Sequence, residues 1–249
     1  LDEIRVGKKL LWGGDQEGGG PYVYPRDDRP TEVTGFEVDL AARVAEYLKV
    51  GAEFAQGPWD KMPDMLRTGK VHVIINGYEF TPDRVGAMDS SIPYYVYELQ
   101  LLGRKSDASI ASWDDLRKMP HGAKLKIGTL TGSAADTYAT KFCGDTCAVV
   151  RYDGSTDAMR EVETGKIDAT LQDTPIAAFY ASRFPALRNI GEPVARGYYV
   201  MYVKKGEVAL VHALNEALVL MLRNGDLERI YRKYGIWNPR QQDLTAIVD

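Results

Sequence analysis

The chain has 249 residues, enough for two domains of ordinary size. Apolar residues make up 45% and charged residues 27%, the balance of a soluble globular protein. A net charge of -4, with no block of Lys and Arg, argues against nucleic acid or an anionic membrane surface as a partner.

The first segment, "KKLLWGG" (8–14), reads as a short apolar strand ending in glycines. In "FEVDLAARVAEYLKV" (36–50) the spacing places Val38, Ala41, Val44, Ala45 and Leu48 on one helical face. "AEFAQ" (52–56) is strand-like, "DKMPDMLRTGK" (60–70) is a short helix closed by Gly69, and "VHVII" (71–75) is a third strand. This β-α-β-α-β order is that of a sheet covered by helices. A second series opens near Leu99 and alternates again through "LQLLGRK", "SWDDLRK", "KLKIGT", "SAADTYATKF", "AVVRY", "TDAMREVETG", "IDATLQ" and "PIAAFYASRF". A strand at 198–205 and helices at 207–223 and 227–235 close the chain. Two similar α/β units followed by an extra strand and helices predict a chain that crosses between domains and returns.

Cys143 and Cys147 stand four apart in "FCGDTC", either as free thiols near a helix end or as a short disulfide in an oxidising compartment. No His or further Cys lies near them, so no metal site is expected there. The longest apolar candidate, "EVALVHALNEALVLMLRNG", is broken by His212, Asn215 and Glu216 and reads as an amphipathic helix rather than a membrane span. "LDEIRVGKK" carries no apolar signal region, so any secretory signal is expected to have been removed or never present.

Ligands of open α/β sheets collect at the carboxyl ends of strands. The polar residues that follow predicted strands are Asp15, Glu17 and Tyr22 in "GGDQEGGGPY", Trp59 and Asp60 in "GPWDKM", and Glu79 and Arg84 in "NGYEFTPDR". In the second unit they are the Thr131-Gly132-Ser133 turn and Asp173. Each has a plainer reading: Arg84 as a surface residue paired with Asp83 or Asp89, Asp173 as a helix N-cap, Ser133 as a capped helix start, Trp59 as core, and Asp15 and Glu17 as solvated loop residues. The glycines at 18–20 lack the Lys-Ser/Thr of a phosphate loop, and the three histidines have no metal-ligand spacing. No G-x-S-x-G is present.

Taken together, the motifs carry a resemblance. "GFEVDLAARVAEYLKV", "WDKMPDMLRTGKVHVIINGYEFTPDRVGAMDSSIPYY", "KIGTLTGSAAD", "IDATLQD" and "LERIYRKYGIW" resemble solute-binding family 3, the binding proteins of polar amino acid ABC uptake systems. The match covers nearly the whole chain. It implies an α/β chain of the type II periplasmic-binding-protein fold, with two α/β lobes joined by two crossing strands. The expected division is 1–97 with 195–249 as lobe 1 and 98–194 as lobe 2, with the ligand cleft between them. The resemblance implies that Arg84 grips the ligand α-carboxylate, a task suited to the planar guanidinium. It further implies that Gly77 offers backbone groups, that Ser133 and the helix start behind it, with the Thr131 turn, form a second carboxylate grip, that Asp173 takes the α-ammonium, and that Trp59 walls the side-chain pocket. It implies no catalytic residue, no metal and no cofactor. The partners implied are a small amino acid and an ABC transporter permease in the membrane, with the protein a monomer. The location is periplasmic or extracytoplasmic, with the signal removed or the chain membrane-tethered, or fused to a permease.

Several positions depart from the family pattern. Glu79 stands where Thr or Ser is usual, Ala134 replaces a second hydroxyl, His72 stands where Asp is common, and "GGDQEGGGPY" is one residue longer than the usual turn and lacks a covering aromatic. With Asp15, Glu17 and Glu79 the edge of the first lobe is acidic, which suits a basic side chain, since a buried cation needs matching acids. The competing readings are a glutamine-type neutral ligand, a ligand-sensing domain of a receptor, and a dehydratase-like enzyme on the same fold.

Overall fold

A computed structural model describes residues 1–16, 19–118 and 122–247. Glu17, one of the candidate ligand residues, and His121 lie outside the described residues. The chain divides into two compact units, Leu1–Val96 with Gly197–Asp249, and Tyr97–Arg196.

The first unit begins with α1 (Asp2–Gly7), β1 (Lys9–Gly14), β2 (Tyr24–Pro25), β3 (Val33–Thr34), α2 (Phe36–Tyr47) and β4 (Gly51–Gln56). It continues with α3 (Met62–Arg67), β5 (Val73–Ile74), α4 (Pro82–Ala87) and β6 (Met88–Ser90). The second unit carries β7 (Tyr95–Arg104), β8 (Lys126–Leu130), α5 (Ala134–Cys143), β9 (Ala148–Tyr152), α6 (Ser155–Glu163), β10 (Ala169–Asp173), α7 (Thr174–Tyr180) and β11 (Leu187–Tyr199). The chain returns to the first unit with β12 (Tyr202–Lys204), α8 (Val208–Arg223) and α9 (Asp226–Lys233). β7 and β11 each run across a unit boundary and are neighbours in one sheet, the two crossing strands that the resemblance implies.

The sheet of the first unit has the order β4-β1-β5-β12-β6, with β1 parallel to both β4 and β5 and β12 antiparallel to its two neighbours. The second sheet has the order β11-β7-β10-β8-β9, with β10, β8 and β9 parallel and β7 antiparallel to β10. α2 packs on β1 and β4 and meets α8 and α9, while α3 packs on β1 and β5. α5 and α6 cover the second sheet. The long apolar side chains buried here, Phe36, Leu40, Val44, Leu214 and Leu218 among them, each contribute about 1.5–3 kcal/mol by leaving water.

Local departures from the sequence reading have physical causes. The buried face of α2 is centred on Phe36, Leu40, Ala41, Val44 and Ala45 and also takes in the carboxyl of Glu37, whereas Val38 and Leu48 are half-buried. The third strand narrows to Val73–Ile74 because the His72 imidazole, through Nδ1, takes the Leu11 N–H at 3.0 Å that a strand partner would otherwise receive. The expected strand at 198–205 is broken at Val200 and Met201, whose N–H groups leave the ladder for Tyr78 O at 3.0 Å and Ser91 Oγ at 2.9 Å. "SWDDLRK" forms only a 3-10 turn, Trp113–Arg117, held by a Ser112/Asp115 capping box. α1 and the first half of β11 were not expected from periodicity. Cys143 and Cys147 form a disulfide at the end of α5.

Candidate functional site

In the first unit, the strand ends β1, β4 and β5 are drawn together by Asp15. Its N–H donates to Asn76 Oδ1 at 3.0 Å, and its carboxylate accepts Gln56 Nε2 at 2.9 Å and the Trp59 N–H at 3.0 Å. Asp15 is therefore a buried tie between loops and not a solvated loop residue. Trp59 donates its indole N–H to Asn76 O at 3.0 Å and packs on Tyr78 with ring centroids 4.6 Å apart and the planes tilted by 31°. The Tyr78 hydroxyl donates to Trp59 O, so the two rings form one fixed platform.

Arg84 lies over that platform. Its guanidinium carbon stands 5.0 Å from the Trp59 ring centroid and 4.8 Å from that of Tyr78, within cation–π range. Thr81 and Pro82 start α4, Thr81 extended at the N-cap and Pro82 in the first turn, although the Thr81 hydroxyl makes no capping bond. Arg84 pairs with Glu79, while Asp89 pairs with Lys205. Arg84 Nη1 donates to the Glu79 carboxylate and to Glu79 O at 3.0 Å. Burial alone disfavours the charged guanidinium, but the charge and hydrogen bond of Glu79 outweigh it and hold Arg84 above its ordinary value. Glu79 is 1% exposed, bridges to Tyr199, and has its carbonyl capped by the Tyr202 hydroxyl at 3.1 Å. The Phe80 N–H donates to Tyr198 O at 2.8 Å, so the corner is laid along the returning chain.

Gly77 has φ of 60°, and a Cβ there would stand 2.8 Å from Tyr22 Cε1, so the position demands glycine. The Gly77 N–H is donated to Glu37 Oε1 at 2.7 Å.

In the second unit, Thr131 sends both its N–H and its hydroxyl to Tyr152 O, at 2.9 and 3.0 Å. Ser133 is the N-cap of α5: its Oγ donates to Leu130 O at 2.8 Å and accepts the Asp136 N–H at 3.1 Å. Asp136 receives the Gly132 N–H at 3.1 Å and is itself held by Arg151 Nε at 2.9 Å. This turn is thus fixed internally at the amino end of a helix, where backbone N–H groups favour an anion. Asp173 ends β10 and holds the N-cap position of α7, but its side chain makes no capping bond, so a helix cap does not account for it.

Sequence reasoning brought forward Arg84, Glu79, Trp59, Gly77 and Asp15, which the structure gathers around one corner, and Thr131, Ser133 and Asp173, which stand at strand ends of the second unit. It passed over Glu37, Asn76, Tyr202 and Asp136, the groups that hold those corners. Glu37 had a signal, since it stands inside "GFEVDL". Among the described residues there is no cluster that could hold a metal ion, and no helix is long and apolar enough to cross a membrane.

A family model of bacterial extracellular solute-binding proteins, family 3, matches residues 14–236. A probable histidine-binding protein of Neisseria gonorrhoeae is 31% identical over 83% of this chain and 76% of its own length. The L-cystine-binding protein of Escherichia coli (strain K12) is 28% identical over 86% of this chain and 78% of its own. Among solved structures, an ancestral amino acid-binding protein described as a precursor of cyclohexadienyl dehydratase matches with a TM-score of 0.85 at 28% identity, covering 94% of this chain and 98% of that one. An ancestral arginine-binding protein bound to arginine matches with a TM-score of 0.82 at 28% identity, covering 91% and 98%. With two α/β units, two crossing strands and a family match over most of its length, the chain belongs to the family 3 bacterial extracellular solute-binding proteins.

Proposed function

We propose that this protein captures a free L-amino acid with a basic side chain outside the cytoplasm and delivers it to an ABC transporter permease. The observation that carries this reading is Arg84: a half-buried guanidinium over two aromatic rings at the start of a helix, in the corner that the family resemblance assigns to the ligand carboxylate. A planar fork of N–H donors matches a carboxylate in pairs. Asp173, buried at the end of β10, is the acid for the α-ammonium. Trp59 forms the pocket wall, and Ser133 with Thr131 presents the helix start to the carboxylate. Glu79 and Asp15, both buried, make this corner rich in acids, which suits a cationic side chain. The named specificities of relatives, histidine and arginine among them, support a basic ligand.

The enzymatic alternative rests on the solved precursor of a dehydratase. It needs an acid or base free to reach substrate. Glu79 is paired with Arg84 and Asp15 is spent on Gln56 and Trp59, so the observations favour binding over turnover.

A thermal-shift screen of the protein amino acids with ornithine and citrulline tests the reading. A ligand at a hundred times its Kd stabilises by about 2.7 kcal/mol. The expected result is a clear shift with arginine, lysine, ornithine or histidine, lost in Arg84→Ala. Because Arg84→Ala strands the buried Glu79, Arg84→Lys serves beside it: the charge stays and the paired geometry goes, and the shift still falls sharply. An undiminished shift in both variants would sink the assignment.

A further inference from the structure

One buried charge is left unexplained by ligand contact. Glu37, in the first turn of α2, is fully buried. Its Oε1 accepts the Gly77 N–H at 2.7 Å and the Tyr94 hydroxyl at 2.5 Å. Its Oε2 is buried without a hydrogen bond of ordinary geometry, and the Asn76 amide is a further polar neighbour of the carboxyl. The groups that face it are phenols and amides. Tyr94 comes from the segment before β7 and Tyr231 from α9. The charges elsewhere on α2 look outward to their own partners, Asp39 to Lys233 and Arg43 to Asp226.

We propose that Glu37 is a positioning residue for ligand capture: its carboxylate holds the Gly77 N–H, and with it the corner that carries Arg84, so that ligand binding and ionisation of Glu37 are coupled. The coupling rests on the reading of Arg84 given above. The chain of contacts is short. Gly77 lies between Asn76, whose carbonyl receives the Trp59 indole, and Tyr78, whose ring underlies Arg84 with Trp59. The left-handed conformation of Gly77 is held by the bond to Glu37. Charge-assisted bonds to a carboxylate are roughly twice as strong as those to a neutral acid. A proton on Glu37 therefore loosens the Gly77 corner, and a ligand that needs the corner in place selects the ionised form.

The group is poised to report this. Burial raises the Glu37 carboxyl to about 7, with Tyr94 and the Gly77 N–H pulling it back. Tyr94 and Tyr231 are pushed well above the ordinary phenol value by burial, so neither titrates near neutrality. Selection of the ionised form lowers the carboxyl's proton affinity on binding, so affinity rises with pH through that region. One unit of coupling corresponds to about a tenfold change in Kd.

The test is calorimetric titration of the protein with L-arginine, whose side chain does not titrate here, in two buffers of different ionisation enthalpy near neutral pH. The expected result is release of a fraction of a proton per arginine bound and a Kd that weakens by up to about tenfold from about pH 8 to about pH 6. Glu37→Gln is expected to bind with no proton release and a flat profile. Where that variant does not fold, Tyr94→Phe removes one donor to the carboxylate and should move the pH of greatest release upward. Arginine binding without buffer dependence in the parent protein, or the same release in Glu37→Gln, overturns the coupling and leaves the reading of Arg84 standing. Absence of binding by arginine and every other basic amino acid overturns that reading and the coupling with it.

Discussion

At Asp15 a single carboxylate does the work of a clasp. It receives a side-chain amide from the end of β4 and a backbone N–H from the start of the Trp59 turn. Asp15→Ala would leave both donors without their acceptor in a buried place, at about 1–3 kcal/mol. Urea unfolding should show a lower midpoint at unchanged slope; a change within about 0.5 kcal/mol would mean that the residue is solvated after all. Whether Asp15 is clasp or solvated charge was not legible in the sequence, because its partners Gln56 and Trp59 lie 41 and 44 residues away. Arg84 was legible as a charged residue just after a strand. Its platform was not, since nothing local states that the Trp59 and Tyr78 rings pack beneath it. Glu79, read as a departure from the family pattern, is the ion partner of Arg84.

The elements that sequence reasoning found are those with strong periodicity or clear punctuation, such as α2, α8 and α3 with Gly69 after it. β11 escaped because "LRNIGEPVARGYY" mixes Gly, Pro and charges and is buried at few positions, as suits an edge strand. α1 escaped because six residues carry too little pattern. α5 shows how an element fixes a candidate grip: Ser133 and Asp136 cap its start, and the disulfide closes its end. The disulfide closes a loop with a sequence separation of 4, which on the chain-entropy account is worth about 2 kcal/mol. The double variant Cys143→Ser, Cys147→Ser should lose about that much in denaturant unfolding. Since Ser133 and Asp173 stand away from the bridge in sequence, arginine affinity of the folded variant should be unchanged. A large loss of affinity would show that the end of α5 reaches the site.

For the molecule as a whole, Glu37 sets stability against function. Its carboxyl titrates at about 7 in the folded chain against 4.5 when free, so between these values the native state holds more protons than the unfolded one. Stability from this group is therefore present at low pH and is lost as pH rises through about 7. Some 2.5 units at 1.36 kcal/mol each make this about 3 kcal/mol over the window. Glu37→Gln removes the proton, so its stability relative to the parent should grow by about that amount from about pH 4.5 to about pH 8. A parallel course of the two curves would mean that Glu37 stays ionised throughout. Keeping a carboxyl at that place costs stability at neutral pH, the kind of cost that persists where a charge positions a functional corner.

The central claim is that Arg84 receives the carboxylate of a basic amino acid, and calorimetric titration of the parent protein and Arg84→Lys with L-arginine tests it most directly. The account predicts saturable one-to-one binding by the parent and a loss of at least about a hundredfold in the lysine variant, the equivalent of about 3 kcal/mol. Equal affinity in the two proteins would contradict it.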